Sequence, residues 1–362
     1  MIYINGRFLL QEQTGVNRFA YELCKALSES GTEFELLCPH GKIKGCYDTT
    51  GFPIRHCGWG KSHLWEQVFL SIFFLKARKR HLLVNLTGIG PIAVRNKVMT
   101  IHDLGFMVNP GWYLSSYIAL YKALTPLSVA TSQKVLTVSE FSKREIMRLL
   151  HVKEEKISVI YNAVPSSLTR PDTEDGKTPE KERYILAVSS IDPRKNFGTL
   201  LKAFALLEDT DIKLYIVGGQ NRIYTTSVKE LSAGIPAERV KWLGRVSDAE
   251  LAGYYRNAAC FVYPSLYEGF GIPPLEAMYA GTPVVVSDIS PLREVCGDAA
   301  QYANPLDAKD IAEKISLVIY DRELRDKLRA KGHIRCREFD WKRSAGSLLE
   351  TITGLQERPC GQ

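Results

Sequence analysis

The sequence predicts an α/β fold with two domains in tandem, each built on a parallel β-sheet covered by helices. Three observations lead to this prediction. The 362 residues are 45% hydrophobic, which is enough apolar material for two cores of ordinary size. Short β-branched runs alternate with longer stretches of helical spacing, as in βαβ units, and this alternation occurs twice. We therefore expect two Rossmann-like domains whose strand-end rims face each other across a cleft.

The first domain is predicted over residues 1–165 and the second over residues 184–340. Strands of the first are expected at residues 2–5, 34–38, 82–86, 98–103, 134–139 and 157–161. Strands of the second are expected at residues 184–190, 213–219, 240–244, 260–265 and 283–288. Residues 166–183, SSLTRPDTEDGKTPEKER, are polar, contain prolines and lack apolar periodicity, so they are predicted to form a linker.

Composition argues against several classes of protein. No run of about 18 apolar residues is available to span a bilayer, and the strand-like start MIYINGRF lacks the pattern of a secretory signal. We therefore expect a cytoplasmic protein. The eight cysteines are scattered without a C-x-x-C pair, which argues against a disulfide framework and against a zinc site.

The positive charge is concentrated in the first domain. Residues 1–165 hold 20 Lys and Arg against 12 Asp and Glu, while the remainder holds 27 against 28. In residues 65–81 an apolar run meets four basic residues, Lys76, Arg78, Lys79 and Arg80. The ordinary interpretation is a buried helix with a solvated basic end. The alternative is a surface that docks on anionic phospholipid or on a lipid-linked acceptor. Nucleic acid is a weaker candidate, because no binding motif accompanies the charge.

The stretch YEGFGIPPLEAM follows a predicted strand and has the composition of a ligand site. Gly269 and Gly271 permit a tight backbone path with exposed N–H groups, and the two prolines that follow suit the first turn of a helix. Such a helix start favours an anion. Glu268 in the loop and Glu276 in the helix would flank that anion and accept hydrogen bonds from hydroxyls. Each acid alone would be an ordinary loop or helix-start residue, but together they indicate a sugar nucleotide.

Other strand ends carry further candidates. Arg194 and Lys195, in SSIDPRKNFG, are placed to neutralise a diphosphate, although two adjacent basic residues are often only a solvated pair. His102 directly follows a strand and is either a ligand-binding residue or a hydrogen-bonded structural histidine. Gly218 follows a strand and Gly15 precedes the first helix, so that each is either a plain turn or a place where the backbone approaches a ligand.

One acidic motif is discounted. Asp209 and Asp211 form a D-x-D pattern of the kind that holds divalent metal in some enzymes. Here the motif precedes its strand, which is the wrong end of a parallel sheet for a ligand. We therefore predict a surface turn and no metal site.

These motifs make the chain resemble a family 4 glycosyltransferase of the GT-B fold, and bacterial O-antigen and polysaccharide mannosyltransferases in particular. The similarity runs from YINGRFLLQEQTGVNRFAYEL through VSEFSKREI and DPRKN to LGRVSDAELAGYYRNAACFVYPSLYEGFGIPPLEAMYAGTPVVVSD. Its most specific part is the E-x7-E pair, Glu268 and Glu276. The resemblance also implies that a final helix, within residues 341–362, crosses back onto the first domain.

The resemblance implies a role for each matching residue. Glu268 is expected to contact hydroxyls of the donor sugar and Glu276 the nucleotide ribose. The amides around Gly269, Phe270 and Gly271 are expected to lie against sugar and phosphate. A basic pair binds the diphosphate in such enzymes, and His102 matches a histidine near the transferred sugar.

The basic pair departs from the common pattern. Many relatives carry G-R-x-x-x-x-K, whereas Ser189 and Ser190 occupy the first two positions here and an arginine stands directly before the lysine. We expect Arg194 to take over part of the diphosphate contact beside Lys195. Ser190 and Asn196, which bracket this segment, are assigned to the same donor site.

The function implied by the resemblance is a retaining hexosyltransferase that needs no cofactor and no bound metal. GDP-mannose is the first choice of donor, with dTDP-rhamnose and UDP-sugars as alternatives. The acceptor is expected to be a lipid-linked saccharide at the inner face of the cytoplasmic membrane. A phosphorylase or epimerase of the same fold and a non-catalytic sugar-nucleotide-binding subunit remain rival interpretations.

Overall fold

The computed structural model describes residues 1–60, 63–76, 81–168, 183–219 and 235–356. The described chain divides into two compact units. The first unit is drawn from Met1–Met107, Ile118–Asn162 and Asp340–Gln362, and the second from Val108–Tyr117 and Ala163–Phe339. Most of the predicted linker, residues 169–182, lies outside the described residues.

The first unit contains a parallel sheet of seven strands among the described residues. The strands are β1 (Ile2–Asn5), β2 (Phe34–His40), β3 (Ile54–Trp59), β4 (Leu82–Asn85), β5 (Lys97–Thr100), β6 (Lys134–Thr137) and β7 (Ile157–Val159). Their order in the sheet is β3-β2-β1-β4-β5-β6-β7. The six predicted strands are confirmed. The edge strand β3 was missed because none of its side chains is buried and Arg55, His56 and Gly58 interrupt its apolar residues.

Helices alternate with these strands along the chain, and two of them extend into Val108–Tyr117, the first segment of the second unit. They are α1 (Gly15–Glu29), α2 (His63–Trp65), α3 (Ser71–Lys76), α4 (Gly105–Val108), α5 (Ser115–Thr131) and α6 (Glu140–Leu150). A π-helical stretch, Glu66–Leu70, joins α2 to α3. Short 3-10 helices occur at Arg7–Leu10, Pro110–Trp112 and Glu154–Lys156. Helix α6 begins at Glu140 because the Ser139 side chain caps it by accepting from the Ser142 N–H at 2.9 Å.

Within the part of the chain that the structure describes, the second unit contains a parallel six-stranded sheet. Its strands are β8 (Tyr184–Val188), β9 (Lys213–Val217), β10 (Val240–Gly244), β11 (Cys260–Tyr263), β12 (Val284–Ser287) and β13 (Ala300–Ala303), in the order β10-β9-β8-β11-β12-β13. The helices are α7 (Phe197–Ala205), α8 (Asp248–Asn257), α9 (Ile272–Tyr279), α10 (Ser290–Cys296), α11 (Ala308–Tyr320) and α12 (Arg322–Cys336). The five predicted strands are confirmed, and the short strand β13 was missed.

The last helix, α13 (Trp341–Gln356), packs in the first unit, as the resemblance implied. The Trp341 ring meets the Phe19 ring of α1 edge-on with centroids 6.0 Å apart. The Ser344 hydroxyl donates to the Tyr161 carbonyl at 2.7 Å. The chain therefore returns to its first core after it completes the second.

In each sheet, the order in which the strands are added reverses at one pair of neighbouring strands. In the first sheet the order reverses between β1 and β4, and in the second between β8 and β11. Ligands of open α/β sheets bind outside the carboxyl ends of the strands at such switch points. A ligand site is therefore expected among the side chains that follow these four strands.

A lysine is fully buried in the first unit. Lys97, the first residue of β5, is 0% exposed, and its ammonium donates to the Val94 carbonyl at 2.8 Å and to the Thr131 hydroxyl at 2.6 Å. Burial, reinforced by the nearby Lys156 charge, lowers the pKa of Lys97 to about 7.

This buried lysine predicts a pH dependence of stability. The unfolded chain holds the Lys97 proton to a much higher pH than the folded chain, so the free energy of unfolding should rise with pH. Between pH 7 and pH 8 the rise from this residue is about 1 kcal/mol. Equilibrium urea unfolding at the two pH values should show this increment in the wild type and its loss in Lys97→Met. The matched variant of an exposed lysine, Lys122→Met, should keep it, and an equal slope in all three proteins would contradict the prediction.

Candidate active site

The loop before α9 has the tight path that its glycines predicted. Gly271 caps the helix with φ of 102°, a left-handed conformation, and a Cβ there would lie 2.5 Å from the Leu292 side chain. Both requirements explain glycine at this position. Pro273 and Pro274 occupy the first turn, so two of the first four helical N–H groups are missing. Donors for an anion must therefore come mainly from the loop and from the very start of the helix.

A second loop, after β8, is held by an aspartate that sequence reasoning missed. Asp192 caps the 3-10 helix Pro193–Lys195, and its carboxylate accepts from the Arg194 N–H at 3.1 Å and from the Ser190 hydroxyl at 2.8 Å. The Leu266 N–H, from the loop after β11, donates to the Arg194 carbonyl at 2.8 Å. The two loops at the switch point are thus tied together through their backbones.

The structure brings Lys195 and Glu268 into direct contact. The lysine ammonium lies 2.6 Å from Glu268 Oε1 and donates to the Tyr263 hydroxyl at 2.8 Å. Lys195 is 7% exposed and Glu268 6% exposed. The sequence predicts the cation and the carboxylate at the same strand-end rim, but it does not predict that they pair. Tyr263, the last residue of β11, was also missed, although its place at a strand end could have identified it.

The ion pair fixes the charge of Glu268. Burial opposes ionisation of this carboxyl, but the charges of Lys195 and Arg194, and the hydrogen bond from Lys195, outweigh it, so the pKa of Glu268 lies below its usual range. Burial and the Glu268 charge together raise the pKa of Tyr263 well above normal. The site therefore presents an ionised carboxylate beside a protonated phenol at neutral pH.

Glu276 lies in α9 and is buried as well. Its Oε2 accepts from the Tyr255 hydroxyl at 2.7 Å. Tyr255, on α8, is itself buried and was not among the predicted site residues. This contact gives the carboxylate a defined orientation.

Three other predicted donor-site residues have structural roles in the protein. A Cβ at Gly218, where φ is 152°, would lie 1.7 Å from the Ser189 carbonyl oxygen, so backbone packing alone requires glycine. The Asn196 amide donates to the carbonyls of Pro264 and Pro305 at 3.0 and 2.7 Å. The Phe270 ring packs edge-on against Phe339. These three residues shape the loops, and contact of their backbones with a ligand stays a prediction.

Two predicted residues belong to the first unit. His102 Nε2 lies 2.9 Å from the Leu86 carbonyl, and its ring meets Phe19 edge-on with centroids 5.0 Å apart. Because a carbonyl only accepts, Nε2 carries the hydrogen, and burial lowers the pKa of His102, which favours the neutral ring. Gly15 begins α1, and nothing lies within 4 Å of the place where its Cβ would stand.

The D-x-D motif is occupied by protein contacts. Asp209 accepts from the Tyr320 hydroxyl at 2.7 Å and pairs with Arg183 at 3.2 Å, at the amino end of β9. Within the described ranges, no group of three or more His, Cys, Asp or Glu side chains is arranged to hold a metal ion.

Solved structures of other proteins share this fold. Anabaena HepE in complex with UDP-glucose superimposes with a TM-score of 0.76 at 18% identity, over 98% of this chain and 99% of that one. Sucrose-phosphate synthase from Thermosynechococcus elongatus gives a TM-score of 0.75 at 20% identity, over 98% of both chains. At these identities the likeness establishes the fold alone, which is that of the GT-B glycosyltransferases.

Sequence relatives are more specific. Residues 13–168 match "Glycosyltransferase Family 4" and residues 170–335 match "Glycosyl transferases group 1". The O-antigen chain mannosyltransferase RfbU of Salmonella typhimurium is 40% identical over 219 residues, which are 60% of this chain and 59% of that protein. The O-antigen chain mannosyltransferase B of Escherichia coli is 31% identical over 261 residues, 70% of this chain and 68% of its own. The chain belongs to family 4 of the glycosyltransferases.

The buried ion pair predicts a non-additive pattern of stability. Lys195→Met should destabilise the second unit by about 3 kcal/mol, because it leaves the Glu268 charge buried without its nearest partner. The double variant Lys195→Met with Glu268→Leu should recover most of that loss, since no charge is left unpaired. Equilibrium urea unfolding of the wild type, both single variants and the double variant measures the coupling. Purely additive losses would show that the pair is not coupled in solution.

Proposed function

We propose that the protein is a retaining glycosyltransferase that moves a hexose from a nucleotide diphosphate sugar to a lipid-linked saccharide in surface polysaccharide synthesis. The observation that carries the proposal is the clustering of Lys195, Glu268 and the helix start at Gly271 at the switch point of the second sheet. Mannose from GDP-mannose is the first donor to test, because both relatives described above are named mannosyltransferases. Donors based on dTDP and UDP are the alternatives.

Each side chain has a proposed task. The ionised Glu268 accepts hydrogen bonds from hydroxyls of the transferred sugar, and Glu276 accepts from the ribose. Arg194, Lys195 and the N–H groups of residues 269–271 stabilise the diphosphate as it leaves, which is where negative charge develops. A phosphate oxygen of the leaving group assists the acceptor hydroxyl on the same face of the sugar, so no strongly basic side chain is needed.

The remaining predicted residues are proposed to contact the donor sugar nucleotide. We propose that His102 contacts the transferred sugar through its Nδ1 side, since Nε2 is held by the Leu86 carbonyl. The open space at Gly15 is consistent with close approach of the backbone to the donor. Catalysis is proposed to proceed without a bound divalent metal, in keeping with the engaged Asp209 carboxylate.

The donor assignment predicts a selective loss of function in conservative variants. Glu268→Gln should lower the turnover number for transfer about 100-fold, because a neutral amide replaces a charge-assisted acceptor. Glu276→Gln should raise the KM for the donor about 10-fold, while its amide oxygen still accepts from Tyr255. Both are measured as radiolabelled hexose transferred to octyl α-mannoside, and the same assay in EDTA should give an unchanged rate.

Controls separate this prediction from misfolding and from the rival functions. Glu313→Gln, an exposed carboxylate of α11, should be indistinguishable from the wild type. A thermal-shift panel of GDP-, UDP- and dTDP-sugars identifies the donor, because a ligand of the native state must raise its melting temperature. A donor that binds without hydrolysis or transfer would favour a non-catalytic binding subunit. Wild-type turnover in both glutamine variants would contradict the proposed site.

We also propose that the first unit docks on an anionic membrane surface. The helical segment from α2 through α3 carries four exposed apolar side chains at helical spacing, Leu64, Val68, Ile72 and Leu75, which we call the apolar stripe. Leu64 is 68% exposed and Leu75 77% exposed. Lys76 follows the stripe directly, and the other basic residues of the cluster, 78–80, lie outside the described residues. An apolar stripe beside positive charge suits the interface of an anionic bilayer. Within the described parts of the chain, no helix is long and apolar enough to cross a membrane.

Docking predicts vesicle binding that depends on the stripe and on salt. The wild type should sediment with phosphatidylglycerol vesicles at low salt and much less at 0.5 M NaCl, because screening weakens the charge attraction. The double variant Ile72→Asp with Leu75→Asp should lose most of this binding. Leu306→Asp, which alters an equally exposed leucine of the second unit, should retain it. Equal sedimentation of all three proteins, or equal binding to phosphatidylcholine vesicles, would contradict the proposal.

A further inference from the structure

A buried charge cluster lies at the switch point of the first sheet. Glu66, in the π-helical stretch, is 0% exposed. Its Oε1 accepts from the Asn5 amide at 2.7 Å and lies 3.0 Å from Arg7 Nε. Asn5 is the last residue of β1, and its amide also donates to Asn85, the last residue of β4. The cluster is therefore anchored at the two strand ends where a ligand of this sheet is expected.

Stability does not explain this cluster well. Arg7 already balances the Glu66 charge, and a buried ion pair is on average no more stabilising than apolar residues of the same volume. A π-helical turn inside a helix is uncommon and occurs often at functional sites. The more informative contact is the one that Glu66 makes with its second oxygen.

Glu66 orients a histidine toward the partly exposed side of the cluster. Its Oε2 lies 2.7 Å from His63 Nδ1, and the His63 side chain is 23% exposed. A carboxylate only accepts, so Nδ1 carries the hydrogen, and in the neutral ring the lone pair is on Nε2. The Tyr121 hydroxyl lies 3.3 Å from Nε2. That distance is long for such a bond, so a ligand hydroxyl can replace it at little cost.

We infer that His63 and Tyr121 bind a hydroxyl of the saccharide acceptor, with Glu66 and Arg7 as positioning residues. His63 Nε2 accepts the hydrogen bond of the acceptor hydroxyl, and the Tyr121 hydroxyl turns to a neighbouring sugar oxygen. Glu66 holds the tautomer that makes Nε2 an acceptor, and Arg7 pairs with the buried carboxylate and holds it in place. This inference rests on the proposed glycosyltransferase function and adds the acceptor to it.

The test separates acceptor binding from donor chemistry. His63→Ala and Tyr121→Phe should each raise the KM for octyl α-mannoside about 10-fold, which corresponds to one lost hydrogen bond. Donor hydrolysis without acceptor, and the donor-induced thermal shift, should stay within twofold of the wild type. His63→Gln, whose amide oxygen reaches the position of Nε2, should recover part of the lost acceptor affinity.

Matched variants outside the cluster control for the substitutions themselves. His56→Ala and Tyr21→Phe alter the same residue types elsewhere in the first unit and should leave the acceptor KM unchanged. The positioning role is tested with Arg7→Met combined with Glu66→Gln, which removes both charges and so leaves none buried alone. This pair should raise the acceptor KM and spare donor hydrolysis.

The outcomes distinguish this inference from the proposed function. If the donor binds and is hydrolysed but the acceptor KM of His63→Ala stays within twofold of the wild type, the inference is wrong and the proposed function stands. Donor hydrolysis by the wild type without transfer to octyl mannoside, glucoside or galactoside would also overturn the inference. Absence of donor binding to any nucleotide sugar would instead overturn the proposed function.

Discussion

The buried pair between Lys195 and Glu268 is the interaction on which the second unit's site depends. It joins residues 73 positions apart in the chain, and it exists only because β8 and β11 are neighbours in the sheet. Two charges removed from water would cost several kcal/mol each if left unpaired. The pair therefore holds the two loops in register and lowers the pKa of Glu268 against the opposing effect of burial.

Much of the fold was predictable because parallel strands buried on both faces are written as continuous apolar runs. The exceptions follow from the same physics. Strand β3 lies at the edge of its sheet and has no buried residue, so it carries no such run. Strand β13 is also an edge strand and is partly exposed, so its sequence, AQYA, carries no such run either.

The candidate site was predictable in its members and not in its connections. Glycines, acids and cations that follow parallel strands lie at the carboxyl edge of the sheet, whichever strands are neighbours. The pairing of Lys195 with Glu268, and the use of Asn196 to hold two carbonyls, depend on which loops meet in space, and periodicity does not encode that. Tyr255 and Glu66 were missed for a related reason. They lie within helical patterns that look like ordinary core or surface.

Charge balance refines what the donor site can do. The two cations at the β8 loop each have a nearby carboxylate: Lys195 pairs with Glu268, and Arg194 Nε lies 3.8 Å from Asp192 Oδ1. The four side chains therefore carry no net charge between them. Under the proposed function, directed N–H groups and the helix dipole therefore attract the diphosphate more than excess positive charge does. Pairing also holds each cation in a fixed geometry before any ligand arrives, so that little reorganisation is required when the leaving group gains charge. A preorganised and internally neutral site of this kind favours the transition state over an anion that is merely bound.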